Sequence, residues 1–177
     1  MNIVKSNFGN PYWWDTCGQI ADEELYLEKQ KIWSEYYRDT DFVTQYGKRV
    51  FDCSGLIKGY LWAGEQEIDS IYKAIQDINS KELMNACDVL ENIKIIPEIP
   101  GILVFFEGHV GVYIGDGKVI EARGHSFGVV ETNLKDRPWK KWGKLKWIIY
   151  EWKKKRYRCI CSVFWCTTRD SNPGPPD

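Results

Sequence analysis

The sequence predicts an α+β domain in which helices come first and an antiparallel sheet follows. Three observations carry this. Apolar residues recur at helical spacing up to about position 91; Pro97 and Pro100-Gly101 then end that pattern; and short β-branched runs separated by glycine turns come after them. A chain of 177 residues holds one domain with a sizeable core and is too short for two ordinary ones. With 44% hydrophobic and 28% charged residues and a formal net charge of −1, it reads as soluble and globular, and wholesale attraction to nucleic acid is not expected.

Residues 1–17 read as an extended lead-in that ends in Pro11-Tyr12-Trp13-Trp14-Asp15-Thr16, where Pro11 biases Asn10 away from helix. From Gly18 to about Tyr37, the spacing of Ile20, Leu25, Tyr26, Leu27, Ile32, Trp33 and Tyr36, with Asp22-Glu23-Glu24 near the start, predicts an amphipathic helix that is broken along its length. Residues 38–50 are polar and contain Gly47, which reads as a loop. A helix follows from Cys53 to about Trp62, with Asp52 in the cap position, where its role is capping rather than catalysis.

Residues 68–91 carry Ile68, Ile71, Ile75, Ile78, Leu83, Met84, Cys87 and Leu90 at helical spacing, with Asn79-Ser80 as a break. Two short helices are expected there, with Cys87 as a core residue. Ile102–Phe106, His109–Ile114, Val119–Ala122 and Gly128–Thr132 read as strands of a meander, joined by turns at Glu107-Gly108 and Gly115-Asp116-Gly117. Leu145–Tyr150 reads as a last strand after the turn at Asp136-Arg137-Pro138.

Beyond Glu151 the burial pattern stops. Residues 1–152 read as the folded domain, and 153–177 as a tail, basic over Lys153–Arg158, solvated and disordered, or as read-through past the natural stop. The N-terminal segment lacks the apolar stretch of a signal peptide, and no run of about 18 apolar residues occurs, so synthesis in the cytoplasm without stable membrane insertion is expected. Six cysteines at 17, 53, 87, 159, 161 and 166 have no framework spacing. Free thiols are the default, and the Cys159, Cys161, Cys166 cluster matches no common zinc spacing, so no metal is expected. Nine Trp and ten Tyr are a surplus of rings for a core of this size, of the kind that lines grooves for sugars or peptides.

The chemistry points to Cys53. In Phe51-Asp52-Cys53-Ser54-Gly55-Leu56-Ile57 the thiol falls in the first turn of a helix, where unpaired N–H groups and the helix dipole favour thiolate. His109 heads an alternating apolar strand in Gly108-His109-Val110-Gly111-Val112-Tyr113-Ile114-Gly115-Asp116-Gly117 and is the partner that a cysteine nucleophile needs. The two are far apart in sequence, so the fold must bring them together. Structural burial is the plainer role for any cysteine.

The Asp-Cys-Ser-Gly box followed by His-Val-Gly-Val-Tyr-Ile-Gly-Asp-Gly resembles the NlpC/P60 family of papain-like cysteine peptidases, which cleave peptidoglycan stem peptides. Gly9-Asn10-Pro11-Tyr12-Trp13 is similar to the family's N-terminal Gly-x-Pro-Tyr segment, and Val119-Ile120-Glu121-Ala122 falls where its third residue lies; the likeness covers roughly residues 8–150. The resemblance implies a papain-like fold with Cys53 as nucleophile and His109 as base. It also implies an oxyanion site from the Cys53 backbone N–H and Tyr12, and no metal or organic cofactor. Ser54 and Arg123 stand as substrate-binding candidates, with Lys118 a further guess from charge and location.

Two departures stand out. The family's third residue is usually His, Asn or Gln, about twelve residues after the catalytic His; here that position is Glu121, a carboxylate that favours the charged imidazole. His125, otherwise a loop residue on the groove rim, is the alternative. The link over residues 38–50 is longer than is usual in the family and is expected to form one wall of the groove. The implied activity is a cysteine endopeptidase acting on a stem peptide, at a bond next to γ-D-glutamate. Its rivals are an N-acetylmuramoyl-L-alanine amidase or acyltransferase with the same pair, and a silent wall-binding module. The missing leader is typical of phage lysins, which reach the wall through a separate pore.

Overall fold

The computed structural model describes residues 7–39, 41–62 and 72–150. Its frame is a six-stranded antiparallel sheet in the order β3-β8-β4-β5-β6-β7. The strands are β3 (Cys87–Asn92), β4 (Leu103–Phe106), β5 (His109–Gly115), β6 (Lys118–Ala122), β7 (Val129–Asn133) and β8 (Lys141–Leu145). A second, two-stranded sheet pairs β1 (Cys17–Ile20) with β2 (Arg49–Phe51). Helix α1 spans Glu23–Ile32, α2 Cys53–Trp62 and α3 Ser80–Asn85. The architecture is thus α+β with an antiparallel sheet, as the sequence predicts.

Alternation along the strands divides the core in two. Leu103, Phe105, Val110, Val112, Ile120 and Ala122 pack with Leu56 and Ile57 of α2, while Ile102, Val104, Tyr113 and Val119 pack with Trp139 and Trp142 on the other face. The β5–β6 turn has positive φ at both Asp116 (52°) and Gly117 (68°), the backbone of a type I′ hairpin whose twist matches its strands. A third cluster joins the lead-in to the segment after it: Trp13, Tyr37, Phe42 and Val50 are buried together, with Trp13 edge-on to both Tyr37 and Phe42.

Several elements differ from the sequence reading. The helix expected from Gly18 begins only at Glu23, because Asp22 caps it by accepting from the Leu25 N–H and the preceding Cys17–Ile20 is drawn into pairing with β2. The loop expected over 38–50 contains a 3-10 turn at Asp41–Gln45 and then β2. Of the two helices expected over 68–91, residues 63–71 lie outside the described residues, and the remainder of the first is a 3-10 turn at Ala74–Gln76.

The second helix is real but short. Asn79 and Glu82 form a reciprocal capping box at its start, and the chain then turns at Ala86 into β3, an outer strand paired with β8. Cys87 is half-buried against the main core. The last strand lies upstream of Leu145–Tyr150, at Lys141–Leu145, since β4 and β3 flank Trp142 and Gly143 on both sides. The basic tail and Cys159, Cys161 and Cys166 lie outside the described residues.

Candidate active site

Asp52 fixes the start of α2. Its carboxylate accepts from the Gly55 N–H, the Ser54 hydroxyl and the Asp15 N–H, and it is almost fully buried. Burial raises its carboxyl above the ordinary range, against those hydrogen bonds. The box needs glycine at 55 because a Cβ there would stand 1.8 Å from the Thr16 carbonyl oxygen. Gly59, one turn on, is under a milder demand of the same kind, since a Cβ there would stand 2.9 Å from the Cys17 carbonyl oxygen. The small face of α2 therefore sits directly on the end of the lead-in, which holds Cys53 in place.

The lead-in runs beside Phe51, with the Trp13 N–H donating to the Phe51 carbonyl and the Phe51 N–H to the Pro11 carbonyl. This places Tyr12 next to the cysteine. Burial, and after it the charge that Cys53 would carry, pushes the Tyr12 hydroxyl far above its usual range, so it stays a proton donor. Ser54 faces elsewhere: its hydroxyl is committed to Asp52.

The Cys53 sulfur is lodged against the turn that precedes β5, 4.0 Å from the Gly108 carbonyl oxygen. The sequence led us to expect a lowered thiol; instead burial, with the Asp52 charge next, pushes it up to about 12, opposed by the backbone N–H groups of Val110, Ser54 and Cys53 itself. The helix terminus acts, but desolvation outweighs it. As the first residue of α2, Cys53 has no intrahelical acceptor for its own N–H.

His109 and Glu121 come together. The register that pairs Val112 with Ile120 puts Gly111 opposite Glu121 and leaves His109 diagonal to it. His109 Nε2 lies 2.7 Å from Glu121 Oε2, with Glu121 fully buried and the His109 side chain 11% exposed. Burial alone would raise the Glu121 carboxyl, but hydrogen bonds from His109, Arg137 and Thr132 hold it down at about 2. An ionised carboxylate only accepts, so Nε2 carries a proton, and in a neutral imidazole Nδ1 is then the nitrogen with the lone pair.

Aromatic rings fix the imidazole plane. Trp139 stacks on His109 at 5.7 Å between centroids, and Phe106 lies at 4.8 Å. Trp139 reaches this place because position 111 is glycine: a Cβ there would meet the Trp139 ring at 2.9 Å and Val119 at 2.7 Å.

Arg137 was missed in the sequence, where it looked like part of a turn. Its Nε and terminal nitrogen bind the two Glu121 oxygens at 2.9 Å each. No local signal marks it, since the partner is sixteen residues away on another element. Arg123 lies instead past β6 with its guanidinium 4.0 Å from the Phe127 ring centre. His125 does not approach His109; its Nε2 lies 2.8 Å from Asp41 and its ring against Phe42, which ties the β6–β7 loop to residues 38–50. Lys118 pairs with Glu131 on the neighbouring strand.

A model of the NlpC/P60 family matches residues 40–147. Among solved structures, NlpC2 from Trichomonas vaginalis is 21% identical with a TM-score of 0.46, over 81% of this chain and 45% of that one. The peptidoglycan hydrolase RipB from Mycobacterium tuberculosis is 22% identical with a TM-score of 0.49, over 81% and 61%. The P60 domain of an antigen from M. avium subspecies paratuberculosis is 23% identical with a TM-score of 0.49, over 81% and 90%. The chain thus spans less than two thirds of the first two structures. No curated protein matches it. Because the family model takes in more than half of the chain, including both the Cys53 box and the His109 strand, the chain belongs to the NlpC/P60 family.

Proposed function

We propose that the protein is a cysteine peptidase that hydrolyses an amide bond in peptidoglycan stem peptides. The observation that carries this is the buried 2.7 Å contact between His109 and Glu121, one residue on from the Gly108 carbonyl against which the Cys53 sulfur lies. Because Nε2 is committed to the carboxylate, Nδ1 is the nitrogen that takes the thiol proton. Burial favours the neutral thiol, and in this reading the thiolate forms by that transfer as substrate arrives.

The sulfur then attacks the amide carbonyl, and the oxyanion takes hydrogen bonds from the Cys53 N–H and the Tyr12 hydroxyl. His109 returns the proton to the nitrogen as the C–N bond breaks, leaving a thioester on Cys53 and a free amine. Water, deprotonated by His109, attacks the thioester and releases the acid and the thiol. None of these steps calls for a metal or organic cofactor. Ser54 contributes through its backbone, and Arg123 is the candidate contact for a substrate carboxylate.

The family and the peptidoglycan hydrolase RipB among its structural neighbours support the wall substrate. No helix among the described residues is long and apolar enough to cross a membrane. The substrate sets the place of action at the bacterial wall. An amidase or acyltransferase would use the same pair on another carbonyl. The second reading is a silent wall-binding module, in which Cys53 is simply a buried core cysteine.

The test is digestion of purified peptidoglycan by the wild type and by Cys53→Ala, with mass spectrometry of the released material. Cut stem peptides from the wild type alone are expected, and their masses name the bond. Release by neither, with both bound to the wall, means a binding module.

A further inference from the structure

We propose that Arg137 is the positioning residue that allows a glutamate to serve as the partner of His109: it cancels the Glu121 charge, so that the carboxylate orients the imidazole without holding it protonated. This rests on the reading of Cys53 and His109 as the reacting pair. A lone carboxylate buried at 2.7 Å from an imidazole would favour imidazolium strongly. An imidazolium cannot serve as the base for a neutral thiol, the form that burial favours at Cys53.

The geometry removes that conflict. Arg137 Nε donates to Glu121 Oε1 at 2.9 Å and to Oε2 at 3.2 Å, and its terminal nitrogen donates to Oε2 at 2.9 Å. Thr132 Oγ1 donates to Oε1 at 2.7 Å, so Oε1 is held by Thr132 and Arg137, and Oε2 is shared between Arg137 and His109. Arg137 also lies over the Phe106 ring that flanks His109, with 5.3 Å to its centre. Glu121 and Arg137 together are neutral, and with neutral His109 the buried trio carries no net charge.

Among the described residues, His109 meets Glu121 from β6 and the uncharged rings of Phe106 and Trp139, while the Cys53 sulfur of α2 lies against the carbonyl of the preceding residue, Gly108. Glu121 faces Arg137 and Thr132. Asp52 acts on Cys53 from the far side of the helix start, and Lys118 and Glu131 neutralise each other on β6 and β7. Arg137 is thus the cation on which the balance at His109 depends.

The test is a cycle of Arg137→Met, Glu121→Gln and the double variant in the full chain, read in two ways. Imidazole titration by NMR, with the second histidine signal identified through His125→Asn, needs no substrate; the pH profile of kcat/KM on a stem peptide does. Arg137→Met should raise the pH at which His109 titrates by about one unit or more, and Glu121→Gln should lower it by a similar amount. The double variant, neutral again, should return to within about half a unit of the wild type and recover at least about tenfold of the kcat/KM lost in either single variant. Arg137→Lys keeps the charge without the fork and should titrate as the wild type does.

A structural role alone would lower stability and leave the titration where it is. The proposal is overturned if Arg137→Met leaves the His109 titration unmoved, or if the double variant titrates like Arg137→Met. Should Arg137→Met fail to fold, by circular dichroism, the wild type, Arg137→Lys, Glu121→Gln and the double variant make the same comparison of charge. If the wild type cuts no peptidoglycan but the titration cycle holds, the peptidase reading fails and the charge balance stands. If it cuts and the titrations do not move, the reverse is true.

Discussion

Gly55 and the Thr16 carbonyl are in such close approach that a methyl group at position 55 would stand 1.8 Å from the oxygen. The contact is backbone on both sides, so no side-chain rotation relieves it. Gly55→Ala should therefore push α2 off the lead-in, at a cost of about 3 kcal/mol or more in unfolding by urea. Cys53 would move with the helix. A variant of unchanged stability and activity would show that the lead-in yields and does not position the cysteine.

Gly111 makes the equivalent demand on the other half of the site. Gly111→Ala would drive Trp139 or Val119 aside and free the face of His109 that Trp139 covers. A misplaced base is costly, so kcat on a stem peptide should fall on the order of 10- to 100-fold with KM little changed. A rise in KM alone would make Trp139 a substrate contact and not a support for the imidazole.

The parts of this site that were legible in the sequence are those whose chemistry is local. The Asp52 cap, the helical run after Cys53 and the glycine turn at Asp116-Gly117 each follow from a few adjacent residues. The position of Glu121 could be counted from His109, because strand pairing turns a short sequence separation into a contact. Arg137 could not be found in this way, since its fork meets Glu121 only after β7 and the turn beyond it have folded back.

Strand β3 was read as helix for a physical reason. Leu83, Met84, Cys87 and Leu90 satisfy helical spacing, and an outer strand with little burial shows no alternation to contradict it. Strand β1 is four residues long and half exposed, too short to stand out beside the α1 pattern. The helix-terminus argument for Cys53 is incomplete from sequence alone, because a sequence shows the dipole but not the burial that opposes it.

Glu121 should leave a mark on acid stability. Against burial, hydrogen bonds from His109, Arg137 and Thr132 hold its carboxyl at about 2 in the folded chain, compared with 4.5 for a free glutamate side chain. A depressed acid contributes stability that is fully present above the unfolded value and is lost as pH falls from about 4.5 towards 2. The gap in unfolding free energy between the wild type and Glu121→Gln should therefore narrow across that window by something on the order of 3 kcal/mol, at about 1.4 kcal/mol per unit. A gap that stays constant with pH would mean that Glu121 titrates alike in the folded and the unfolded chain, so that the Arg137 pairing does not stabilise its charge in solution.

Cys53 offers a direct reading of the resting state. Only the thiolate is alkylated, and burial holds this thiol up at about 12 when no substrate is present. Its labelling by iodoacetamide, followed by mass spectrometry of the Cys53 peptide, should rise with pH through 9 and beyond without a plateau near neutrality. Cys17 and Cys87 are also raised by burial, so Cys53 should have no advantage over them at pH 6. A fast plateau near pH 6 confined to Cys53 would mean that the thiolate–imidazolium pair is already formed in the free protein. Proton transfer would then precede substrate binding, and Arg137 would have to be read as tuning a standing ion pair.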